Sequence, residues 1–125
     1  LQRAKEKFDV SYMFISHNIN LVRSISDRIA VMYLGRLIEV GDAKEIFNDP
    51  KHPYTKALFA SVPQPDPDKK VKTPLKGDVP SPVNPPEGCA FAPRCKERDE
   101  AICNKENPDL IETYGRKIAC HKYKE

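Results

Sequence analysis

The sequence predicts an α/β segment followed by a loop-rich, cysteine-bearing extension, and three features predict it. Residues 1–62 alternate helix-like and strand-like hydrophobic periods. Most of the twelve prolines of the 125-residue chain fall between Pro63 and Pro93. All four cysteines lie in the last 37 residues, from Cys89 to Cys120. Composition thus divides the chain into an α/β part (1–62), a proline-rich connector (63–88) and a cysteine-bearing tail (89–125).

Within the first part, LQRAKEKF reads as a helix end and SYMFIS, from Ser11 to Ser16, as a short apolar strand. Asn18 or Asn20 can cap a following helix through NINLVRSISD, in which Ile19, Leu21, Val22 and Ile25 supply one buried face by plain core packing. RIAVMYLGRLIEVG then reads as a hairpin turning at Leu34-Gly35, where glycine tolerates the turn. Asp42, with Glu45 three residues on, opens DAKEIFND as a capping-box-like helix that Pro50 ends. Pro53 suits the first turn of the next helix, PYTKALFASV, whose Tyr54, Leu58 and Val62 share a face. Beyond it the proline density predicts an extended, irregular connector or wrapping arm.

Composition also excludes. Only 39% of the residues are hydrophobic, so the core is expected to be modest. The net charge is +3 with 31% charged residues, and basic and acidic side chains are interspersed. Without a basic stripe or aromatic platform, nucleic acid is not an expected partner. No run of about 18 apolar residues is present to span a bilayer. The start lacks the charged and apolar regions of a signal peptide. A first residue that is not Met, on what reads as the last turns of a helix, predicts a piece of a longer chain.

The cysteines Cys89, Cys95, Cys103 and Cys120 are followed at once by His121. Four cysteines allow three disulfide connectivities, and small loop-rich secreted domains use such staples. A closed tetrahedral zinc site is a second reading, although zinc knuckles place their cysteines closer together than these. A [4Fe–4S] cluster takes one thiolate on each iron of a larger cubane, so it accepts wider spacings. Spacing alone leaves metal, disulfides and free thiols open. Gly88 and Pro93 help the backbone turn there, and Arg94, Lys96 and Arg98 bring positive charge beside it. Taken singly, each of these residues reads first as an ordinary solvated loop residue.

His17 ends the apolar strand before the capped helix, where α/β folds bind ligands. A lone histidine there can hydrogen-bond a phosphate or be merely structural.

With VSYMFISHNINLVRSISDRIAVMYLGRLIEVGDAKEIF in view, the chain resembles the C-terminal part of an ABC transporter ATP-binding subunit. HPYTKALFASVPQPDP and GDVPSPVNPPEGCAFAPRC resemble the extension of its oligopeptide and dipeptide branch. The resemblance covers essentially the whole chain and implies an α/β fragment of an ABC nucleotide-binding domain followed by a cysteine-bearing C-terminal extension. It implies that His17 is the switch histidine contacting the ATP γ-phosphate, with Asn18 where the family commonly has aspartate. It implies that Cys89, Cys95, Cys103 and Cys120 match cysteines that hold a [4Fe–4S] cluster in some members, with zinc as the alternative. Transmembrane permease subunits, a second ATP-binding subunit and a peripheral place on the cytoplasmic face of the membrane are implied with it. The chain itself contains no phosphate loop, signature motif or acidic catalytic pair, so it is not expected to hydrolyse ATP alone. Rival expectations are a free-standing metal or iron–sulfur regulatory module and a secreted disulfide domain. Cut from its sheet, the fragment is expected to self-associate.

Overall fold

In the computed structural model, which describes residues 2–63, 68, 77 and 79–124, the chain opens on helix α1, Gln2–Phe8. Lys5 and Lys7 in its last turn complement the helix dipole, and Lys5 pairs with Asp27. Asp9 leaves the helix in the left-handed region, at φ 48°.

Residues 10–16 follow without a ladder partner, so the SYMFIS strand of the sequence reading does not form. Apolar composition makes a segment fit for a sheet, but a strand exists only when a neighbour takes up its backbone groups. None of the four strands among the described residues does so. Met13 and Ile15 are consequently 94% and 91% exposed.

Helix α2, Ile19–Ile25, is capped by Asn18, whose side chain accepts from the Leu21 amide at 3.1 Å. Its expected apolar face is only half-buried, and Leu21 is exposed. Val22 is the residue of that face that packs against the core.

Strands β1, Arg28–Tyr33, and β2, Arg36–Asp42, form the expected hairpin. Leu34 and Gly35 both have positive φ, 48° and 76°, as the tight turn that matches strand twist requires. Ile29, Val31 and Tyr33 alternate into the core. The register shifts between Val31↔Glu39 and Met32↔Leu37, which makes Ile38 an extra residue, a β-bulge. The bulge buries the adjacent Ile38 and Glu39 together, which strict alternation would forbid.

Asp42 caps helix α3, Ala43–Asn48, by accepting from the Glu45 amide at 3.2 Å. Helix α4, Pro53–Ala60, begins at the expected proline, but its cap is His52. Tyr54 and Leu58 pack on the core as the periodicity predicts.

The last third holds more order than its composition suggests. Helix α5 spans Glu100–Cys103, and strands β3, Ile111–Thr113, and β4, Arg116–Ile118, form a second hairpin. Its turn residues, Tyr114 and Gly115, again both have positive φ. β4 pairs antiparallel with β2, giving one sheet in the order β1-β2-β4-β3. The Ala119 amide continues that pairing to the Ile38 carbonyl at 2.8 Å. Ile46 and Ile118 are fully buried, a contribution of about 1.5–3 kcal/mol each. Phe91 reaches the core from the cysteine loop, against Tyr33 and Tyr54 at centroid distances of 5.4 Å. Much of the connector, 64–67, 69–76 and 78, lies outside the described residues; residues 79–88 carry no helix or strand.

Candidate cofactor site

Short backbone links gather the four cysteines. The Cys89 amide donates to the Cys103 carbonyl at 2.8 Å, which ties the entry of the loop to the end of α5. Gly88 makes that approach possible: a β-carbon there would lie 2.1 Å from the Cys103 carbonyl oxygen. A turn at Ala92–Arg94 carries the chain from Cys89 to Cys95. Asp99 caps α5 through the Ala101 amide at 2.9 Å and fixes Cys103 in its last turn. Cys120 stands two residues past the end of β4. Gly88→Ala should therefore cost about 1–3 kcal/mol and part Cys89 from Cys103. Denaturant unfolding together with thiol-labelling rates checks this, and a variant as stable and as slowly labelled as the wild type would refute it.

All four thiols are free and half-buried, and together they wall one cavity of about 250 Å³. That is several times the ~30 Å³ a water occupies in the liquid. Burial pushes the Cys89 and Cys95 thiols up from their ordinary range and Cys120 up to about 11. Backbone amides of Phe91 and Ala92 beside Cys89, Glu97 beside Cys95 and Lys122 beside Cys120 work the other way, while Cys103 pushes all three up further. Without a cation Cys89, Cys95 and Cys120 therefore rest as thiols. A metal would have to displace their protons.

Among the described residues, no three Cys, His, Asp or Glu side chains converge as a single metal ion requires. This arrangement does not supply a closed zinc site. Four thiols on the wall of one cavity are the donor type and number that an iron–sulfur cluster takes, one per iron.

His52 forms another wall of the cavity and is 1% exposed. Its Nδ1 accepts from the Tyr54 amide at 3.0 Å, so the neutral ring carries its proton on Nε2. Nε2 is buried without a hydrogen-bond partner. Burial lowers the pKa of His52 from 6.5 to about 4, against the opposing pull of Glu39, the Ala119 carbonyl and Glu97.

Behind the histidine lies Glu39, 0% exposed. Its carboxylate accepts from the Lys51 and His52 amides at 3.0 and 3.1 Å and from Arg116 at 3.0 Å. Arg116 also donates to the Asp49 carbonyl at 2.7 Å. One ion pair thereby fixes β2, β4 and the segment that presents His52.

Residues 38–103 match the family described as oligopeptide/dipeptide transporter, C-terminal region. The chain belongs to this family. Its matched segment carries Glu39, His52 and three of the four cysteines, while Arg116 and Cys120 lie beyond it. Over 99% of its length the chain is 45% identical to the putative oligopeptide transport ATP-binding protein YkfD of Bacillus subtilis, of which it covers 39%. It is 46% identical, over 93% of its length, to the dipeptide transport ATP-binding protein DppF of Haemophilus influenzae, covering 36% of that protein. With the oligopeptide transport ATP-binding protein OppF of Salmonella typhimurium the identity is 42%, over 98% of this chain and 37% of the relative. The chain thus spans less than two fifths of the length of each of these relatives.

In this oligopeptide/dipeptide transporter C-terminal region, the predicted site residues separate into two groups. Cys89, Cys95, Cys103 and Cys120 come together. His17 stands apart, exposed just before α2 and absent from the cavity wall. Nearby, the Asn18 amide bonds Ser16 Oγ at 3.0 Å. The expected positive charges are partly spent: Arg98 pairs with Glu100 at 2.9 Å, and Arg94 reaches the Tyr33 hydroxyl at 3.4 Å. His52 and the Glu39–Arg116 pair were not singled out by sequence reasoning. The helix-capping position before Pro53 was the available signal for His52; a lone glutamate in an apolar strand was the signal for Glu39.

Proposed function

We propose that this chain is the C-terminal part of an ATP-binding subunit that powers import of oligopeptides or dipeptides. The identity to transport ATP-binding proteins over nearly the whole chain carries the reading. Residues 1–62 are then the remnant of the ATP-binding domain, 63–88 a connector and 89–125 the cysteine-bearing extension. The intact subunit works with transmembrane permease subunits and a second ATP-binding subunit, as a peripheral protein on the cytoplasmic face of the membrane. Among the described residues no helix is long and apolar enough to cross a membrane, which accords with a peripheral place. The free-standing regulatory module gains no support from the relatives, all named for transport.

In this reading His17 contacts the γ-phosphate of ATP, and its N–H donates to the oxygen on which charge develops as the phosphoryl bond breaks. His17→Ala in the full-length subunit, assembled with its permease, should lower ATP hydrolysis by about a hundredfold or more. Turnover within a few-fold of wild type would remove His17 from catalysis. The exposed apolar residues 10–16 belong against the rest of the ATP-binding domain. The isolated chain should then self-associate through them, with a light-scattering mass that rises above the monomer with concentration; a constant monomer mass would count against it.

The four cysteines hold a [4Fe–4S] cluster in the same reading, supported by the cavity that they wall together. When bound, such a group supplies a rigid, reducible cross-link among Cys89, Cys95, Cys103 and Cys120. The protein's part is to bring the four sulfurs together, shield them from water and offer backbone amides to their charge.

A further inference from the structure

Two of the residues that line the four-cysteine cavity each carry a nitrogen buried without a partner: Nε2 of His52 and Nδ1 of His121. They are not equivalent. The His121 ring is half-exposed and is anchored by Nε2 to the Glu106 carbonyl at 2.7 Å. The His52 ring is almost fully buried and fixed by its Nδ1, so its remaining N–H has a set direction and no acceptor within hydrogen-bond geometry. The Ala119 carbonyl is close enough to favour protonation without completing a bond to Nε2. Buried N–H groups rarely stay unpaired, and an N–H in the wall of a thiol-lined cavity has sulfur as the natural acceptor.

We propose that His52 donates its Nε2–H to a sulfur of the group held by Cys89, Cys95, Cys103 and Cys120, and thereby raises that group's reduction potential. This rests on the cluster reading above. His52 is a positioning and tuning residue and not a ligand, because its Nδ1 is occupied by the Tyr54 amide. The Glu39 carboxylate holds the His52 amide at 3.1 Å, and Phe91 lies 6.0 Å from the ring, so the donor is braced from two sides. An N–H directed at sulfur stabilises the reduced, more negative form of an iron–sulfur group.

The test uses the full-length protein, reconstituted without oxygen from ferrous iron and sulfide, and compares wild type with His52→Asn and His52→Gln. Asparagine keeps an oxygen for the helix cap but removes the distal N–H, whereas glutamine places an amide N–H near the position of Nε2. Iron and sulfide content is measured first, then the potential by EPR-monitored titration. The expected result is equal loading, with a tenfold lower reduced-to-oxidised ratio at fixed potential in His52→Asn, about 59 mV for one electron, and partial recovery in His52→Gln. Equal loading with an unmoved potential overturns the role of His52 and leaves the cluster reading standing. No iron or sulfide in the wild type overturns the cluster reading and this inference with it. A second readout needs no change at residue 52: with isotopically labelled histidine, pulsed EPR of the reduced protein should show a histidine nitrogen coupling that persists in His121→Gln. Its absence also overturns the proposal.

Discussion

Arg116→Met should destabilise the chain by about 3–5 kcal/mol. The substitution leaves Glu39, fully buried, with its two backbone donors but without its cationic partner. It also strips a donor from the Asp49 carbonyl. The cost of a buried charge without its counter-charge exceeds what the pair contributes against an apolar replacement, so the double variant Glu39→Gln with Arg116→Met should recover a large part of the loss. Denaturant midpoints of wild type, both single variants and the double variant give the coupling directly. A loss below about 1 kcal/mol for Arg116→Met would mean that the pair is not the clasp between β2 and β4.

Lowering the pH from 7 to 4 should remove about 3 kcal/mol of stability through His52 alone. The sign follows from its folded pKa of about 4, below the 6.5 of an unburied imidazole. As pH falls through 6.5 the unfolded chain takes up the proton while the folded chain does not, so stability is present above that value and drains away down to about pH 4. Below that window the group has no further effect. Carboxylates such as Glu97, held low chiefly by its hydrogen bond to Lys122, lose their stabilisation at more acidic pH. His52→Asn should therefore flatten the stability profile between pH 4 and 6.5 while leaving the more acidic loss in place. An unchanged slope in that window would show that the ring is solvated and that its cap is open to water.

Local chemistry made much of the fold legible. Asn18, Asp42 and Pro53 announce three helix starts because the groups that satisfy a first turn stand next to it in sequence. Gly35 announces the first hairpin for the same reason. The missed features depend on distance along the chain. Glu39 is buried only because Arg116 arrives 77 residues later, and no periodicity encodes that meeting. The bulge at Ile38 breaks the alternation that sequence reading relies on. The second hairpin hides in a tail whose Tyr114 adopts a left-handed conformation that glycine or asparagine would have advertised. The apolar run at residues 11–16 misleads in the opposite direction, since it states what the segment could pair with and not whether the partner is there. At the site, four cysteines were visible as a set, while the histidine that walls their cavity looks in sequence like a residue before a proline.

The position of β4 between β2 and β3 bears on how the protein comes off the ribosome. Strand β2 is synthesised early, yet one of its edges stays open until residues 116–118 emerge, and Glu39 waits without a counter-charge for the same interval. This sheet is therefore completed well after its first hairpin has emerged, with the cysteine loop arriving before the strand that locks it. Closing so long a loop depends only weakly on its length, about 0.6 kcal/mol for each doubling. The connector between the two halves can therefore lengthen or shorten by many residues at little thermodynamic cost, provided that Arg116 still finds Glu39.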